Sequence, residues 1–136
     1  MSVPSFVALK DAALIHLRAK VPEAEWSYVN SIDAGKIDGR RVLLTPGSMP
    51  LTITPVTRAS DEGQVQLAIS IIDKWIPGQN ADPNVELLEE LGRHFLRAIV
   101  GGYSCVSVSC PVLMDPELSF GNAYQGVVEL TFKAIQ

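Results

Sequence analysis

Gln64-Val65-Gln66-Leu67-Ala68-Ile69-Ser70-Ile71-Ile72 is the stretch whose pattern decides the fold. Side chains alternate across a strand, so Val65, Leu67, Ile69 and Ile71 point one way while Gln66, Ala68 and Ser70 point the other. One apolar face backed by a small or polar one is the pattern of a half-buried antiparallel strand. Such a face needs a cover, and the sequence on either side supplies helices that can provide it.

Downstream, residues 82–99 read as an amphipathic helix. Asp82 is the expected N-cap and Pro83 the first helical residue, where a missing N–H costs nothing. Leu88, Leu91, Phe95 and Ile99 form its apolar stripe, flanked by Leu87 and Leu96. Glu86, Glu89 and Glu90 lie near its start and Arg93 and Arg97 near its end, which complements the helix dipole. Gly101-Gly102 is expected to close it. Upstream, residues 5–19 form a second helix, capped by Ser5, with Phe6, Leu9, Ala13 and Leu17 on one side and Pro22 ending the run.

Four further segments read as strands. Residues 40–45 are short and stop at Pro46-Gly47; residues 51–57 alternate Leu51 and Ile53 with Thr52 and Thr54, and Pro55 marks an edge position. Val106, Val108 and Cys110 alternate with Ser107 and Ser109 up to Pro111. The last segment, residues 126–135, sends Val128, Leu130, Phe132 and Ala134 to one face. Between the elements lie two long connections, residues 22–39 and 112–125. Loops of this length are uncommon in compact domains unless functional or ordered by a partner. The expected fold class is therefore α+β: a mainly antiparallel sheet with two helices packed on one face, in the order α-β-β-β-α-β-β. Residues 1–136 form a single domain.

Composition narrows the function. The 136 residues are 47% apolar and 19% charged, an ordinary globular balance. Apolar runs are only a few residues long, so no membrane span is expected, and the N-terminus lacks the pattern of a secretory signal. The chain is expected to fold in a cytoplasm. Net charge is −4. Residues 1–60 hold seven Lys/Arg against five Asp/Glu, a balance of +2; residues 61–136 hold four against ten, a balance of −6. A mildly acidic chain with no basic stripe argues against direct sequence-specific nucleic-acid binding, while the asymmetry suits head-to-tail packing of like subunits.

The motifs of chemistry are missing. The glycines form no phosphate-binding loop, and the sequence has neither C-x-x-C nor H-E-x-x-H. His16 and His94 each lie on an expected helix with no second histidine nearby, and His94, in a charged flank, reads as a solvated helix histidine. Cys105 and Cys110, five apart in one strand, lie on opposite faces roughly 16 Å apart at about 3.3 Å per residue, too far for a disulfide. Cys110 is expected to face the core as a small hydrophobe and Cys105 to be the exposed one. No catalytic, metal-binding or cofactor-binding residue is nominated, and an enzyme is not expected. What stands out is apolar material outside the periodic segments: Trp26, Tyr28, Trp75, Met114, Phe120 and Tyr124, the candidate residues for a protein interface.

Three quoted pieces carry a resemblance: Asp61-Glu62-Gly63-Gln64-Val65-Gln66-Leu67-Ala68-Ile69-Ser70-Ile71, the helix Val85-Glu86-Leu87-Leu88-Glu89-Glu90-Leu91-Gly92-Arg93-His94-Phe95-Leu96, and the closing strand Gly126-Val127-Val128-Glu129-Leu130-Thr131-Phe132-Lys133. Together, over about residues 60–136, they resemble the tail terminator (tail completion) family of tailed bacteriophages. The resemblance implies a structural virion subunit at the head–tail junction. It would form a homo-oligomeric ring, commonly a hexamer, that caps the tail tube protein and meets neck or head-completion proteins. It implies no catalytic residue and no cofactor. Another neck or head-closure protein, or a small ligand-binding α+β domain, are the alternatives.

Overall fold

A computed structural model describes residues 5–29, 37–57, 61–76, 78–116 and 122–135. Its elements are α1 (Phe6–Arg18), β1 (Glu25–Trp26), β2 (Arg41–Pro55), β3 (Asp61–Lys74), α2 (Asp82–Phe95), β4 (Ile99–Val100), β5 (Tyr103–Val112) and β6 (Ala123–Ala134). The strands form one sheet in the order β1-β2-β3-β6-β5-β4, antiparallel except where β1 runs parallel to β2. The α+β class is as expected, with both helices on one face.

The decisive stretch sits near the middle of this sheet. Val65, Leu67, Ile69 and Ile71 are fully buried and share a core with Leu9, Ala13 and Leu17 of α1 and Leu88, Leu91 and Phe95 of α2. Leu130 and Phe132 of β6 pair with Leu67 and Val65 on the same face. Burying one such side chain contributes about 1.5–3 kcal/mol, so this layer holds the domain together. The Ser5 hydroxyl accepts from the Ala8 N–H and caps α1 as its sequence suggests.

Two glycines set how closely α2 lies on the sheet. A Cβ at Gly126 of β6 would collide with Leu88 and meet the Tyr124 hydroxyl at 2.5 Å and the Leu113 carbonyl at 3.0 Å. One at Gly92 of α2 would lie 2.9 Å from Val108. Helix and sheet meet here at a separation that only a missing side chain permits.

The boundaries differ from the sequence reading at identifiable places. Segments 40–45 and 51–57 belong to a single bent strand, β2, whose register shifts between Pro46 and Leu51. α2 starts with Ala81, not Asp82, as its N-cap, and it ends at Phe95, short of Gly101-Gly102, because Arg97 takes a left-handed φ of 66°. Ile99 therefore leaves the helical stripe, enters β4 and is exposed. The connection at 22–39 yields the short parallel strand β1, and residues 30–36 lie outside the described residues. The expected loop 112–125 is shorter, since β6 begins at Ala123.

The other sheet face is more polar. Ile37, Leu43, Ile72 and Ala123 form a small cluster there. Ser70 is also fully buried on that face, and its hydroxyl has no hydrogen-bond partner among the described residues.

Candidate interaction surface

The nominated aromatics separate by burial. Tyr28 is exposed, with 61% of its surface accessible. Trp26 beside it is half-buried, edge-to-face with Phe6 at 6.2 Å and with Tyr28 at 5.1 Å. The Lys10 ammonium lies 5.7 Å from the Trp26 ring centre and 5.9 Å from that of Tyr28, a cation–π contact to both. Trp75 and Met114 are partly buried and packed against the core. The indole N–H groups of Trp26 and Trp75 are buried and unpartnered among the described residues. Phe120 lies outside the described residues.

Tyr124 is not at the surface. It was expected in a loop, but it belongs to β6, is 0% exposed and cannot offer its ring to a partner. Its hydroxyl donates to the Leu113 carbonyl at 2.5 Å. Burial, reinforced by nearby Cys110, pushes the phenol pKa up to about 12.

The cysteines exchange their expected places. Cys105 is buried and Cys110 exposed. A bulge between Cys105 and Ser107 adds one residue to β5, which turns Cys110 back onto the helix-side face. Burial raises the pKa of both thiols, partly offset by hydrogen bonds to Ser107 and Val112. That direction is opposite to what an activated thiolate requires.

His16 and His94 are not independent solvated residues. Their rings stack at 3.9 Å, within 6° of parallel. The His16 Nε2 donates to the His94 carbonyl at 2.9 Å, and the His94 Nε2 donates to the His16 carbonyl at 2.7 Å. Carbonyls only accept, so both Nε2 atoms carry the proton. The pair ties the last turn of α1 to that of α2. Nothing in the sequence spacing points to it, since the two residues are 78 positions apart.

Apolar surface is also exposed outside the nominated residues. Met49, Leu51, Ile53 and Val56 are exposed around the outer half of β2. Residues 53–55 pair with 61–63 of β3, and among the described residues none of the latter has a partner in β6. They form a two-stranded arm beyond the body of the sheet. Toward the opposite edge of the sheet, α2 and β5 enclose an open groove of about 380 Å³. Leu88, Leu96, Val108, Leu113 and Val128 line its apolar wall, Cys110 lies within it, and Glu89 and Arg93 are at its mouth. Among the described residues no group of His, Cys, Asp or Glu could hold a metal ion, and no helix is long and apolar enough to cross a membrane.

No family model and no curated protein matches this sequence. Solved structures do share the fold. One is a chain from the virion of a native gene transfer agent particle, 15% identical, with a TM-score of 0.52 over 96% of this chain and 92% of that one. Another, described without a function, is 10% identical with a TM-score of 0.51 over the same shares. At such identities the likeness establishes architecture alone.

Proposed function

We propose that this chain is a structural subunit of a phage-like virion. In this reading it forms a ring that caps the tail tube and joins it to the neck or head-completion proteins. The role is non-enzymatic and needs no cofactor. The observation that carries the reading is the fold shared, over nearly the whole of both chains, with a component of a gene transfer agent virion. Exposed apolar surface at both sides of the sheet supports it, because isolated subunits rarely leave such surface uncovered without a partner.

The test is a tube-length assay. Purified subunit is added to polymerising tail tube protein and the tubes are measured by negative-stain microscopy. Capping predicts shorter tubes with extra density at one end. Tubes of unchanged length with bare ends would overturn the capping role.

A further inference from the structure

The two outer edges of the sheet carry complementary features. The Ser27 N–H donates to the Leu44 carbonyl, so Leu44 directs its backbone groups away from β3. Alternation through the register then turns the backbone groups of Leu51 and Ile53 outward as well. Pro46 and Pro55 fall on the same outward set and supply no N–H, leaving a two-residue window between them. On the other edge, Cys105 exchanges hydrogen bonds with Arg97 and Ala98. Counting on through the first bulge turns Val108 outward, and Cys110, next in the alternation after Ser109, lies where the register shifts again before Val112. β4 pairs only with Tyr103 and Ser104, so the rest of β5 has no neighbour on that side among the described residues. This is a second two-residue window, closed by Pro111.

The side chains match too. Leu51 pairs with the core residue Val65, so Leu51 and Ile53 point to the helix side of the sheet. Val108 and Cys110 line the groove on that same side. A strand added to β5 would therefore place every second side chain in the groove while its backbone pairs with the edge.

We infer that this groove receives the outer half of β2 from a second copy of the chain, so that Leu51 and Ile53 fill it and the sheet continues from one subunit into the next. The inference rests on the ring-forming reading above and names its contact. A chain cannot satisfy itself, because β3 and β6 separate the two edges by three strand spacings, about 14 Å at about 4.8 Å each. Neighbouring strands from β2 to β5 are antiparallel throughout, so β2 and β5 run in opposite directions. Repetition by rotation then extends an antiparallel sheet and gives a head-to-tail contact that can close. The arm suits this site in charge as well: residues 46–55 carry none, so no ion loses its water when they lie beside Glu89 and Arg93 of the groove.

Cys110 is a built-in probe. Opposed residues of an antiparallel pair have Cα atoms about 4.5–5.5 Å apart, within the disulfide range of about 4.4–6.8 Å. Leu51→Cys and Ile53→Cys, two positions apart, bracket the register. With an added thiol oxidant, one of them should give a ladder of reducible oligomers. Wild type, Thr54→Cys on the opposite face, and the same variant carrying Cys110→Ser should not. Ile53→Glu should raise the concentration needed for self-association at least about tenfold, the size expected for a central apolar anchor. No ladder from either cysteine variant, or one that persists with Cys110→Ser, overturns the inference. So does Val108→Arg abolishing tube binding while self-association is unchanged, which would assign the groove to another protein. A ladder without tube capping sinks the capping role alone; capping rings without a ladder sink this contact alone.

Discussion

Val42, Leu43 and Leu44 in the first half of β2 are buried, whereas Leu51 and Ile53 in its second half are exposed, although both halves pair with β3. The difference is not in the residues. The first half sends Val42 and Leu44 into the core shared with α1 and α2, and Leu43 into the Ile37 cluster on the other face. The second half follows the register shift after Pro46 and runs beyond both covers. A strand's apolar pattern states that it has something to bury; whether its own chain does the burying depends on where distant helices end.

Truncating one leucine in each half separates a residue its own chain buries from one it leaves exposed. Leu44→Ala should lower unfolding free energy in chemical denaturation by about 2–5 kcal/mol, the range for a buried leucine. Leu51→Ala should change it by no more than about 0.5 kcal/mol at dilutions where the chain is monomeric. A loss above about 1 kcal/mol at Leu51 would mean that the monomer already packs its arm.

Alkaline titration sharpens the same contrast from the buried side. The Tyr124 phenol has its folded pKa raised to about 12 against an ordinary 10.0. The folded state therefore holds this proton more tightly than the unfolded chain does. The resulting stability is fully present below about pH 10 and is lost as pH rises through about 12. Two units correspond to about 2–3 kcal/mol. Tyr124→Phe should flatten that part of the stability profile relative to wild type. An unchanged profile in the variant would refute the assignment.

The cover itself can be loosened. His16→Ala and His94→Ala each remove the ring stack and one bond to a helix-terminal carbonyl, and each should cost about 1–2 kcal/mol. Because they share one contact, the double variant should cost clearly less than the sum of the two, as coupled residues do. Strict additivity in a double-mutant cycle would show the rings to be independent.

Much of this architecture is written locally. The alternation in β3 and the α1 stripe of Leu9, Ala13 and Leu17 announce buried faces, and both are buried. The places that were not legible depend on backbone turns or distant pairing. One added residue in β5 put Cys105 on the same face as Cys110, Cys105 in the core and Cys110 in the open groove. A left-handed Arg97 ended α2 early and freed Ile99 for β4. The His16–His94 stack needs two helices to meet. For the candidate surface, aromatic identity was a poor guide. Tyr124 went to the core because β6 begins earlier than its turn residues suggested, whereas Leu51 and Ile53 look like ordinary strand residues and carry the exposed apolar surface.

The smallest expected effect tests the strand alternation on which the two edge windows depend. Pro46 pairs with Leu67 and sits two residues from Leu44, whose carbonyl accepts from Ser27 outside the β2–β3 ladder. Its missing N–H therefore faces the open edge, where proline costs no ladder bond and discourages other chains from adding. Pro46→Thr restores that N–H without giving it a partner in β3, and it loosens the unfolded chain. Stability should fall by about 0.4–1 kcal/mol, while light scattering at high concentration should report more association than wild type. A gain of about 1 kcal/mol with unchanged scattering would mean that the new N–H bonds to β3. Leu51 and Ile53 would then face inward, and the window on this edge would not exist.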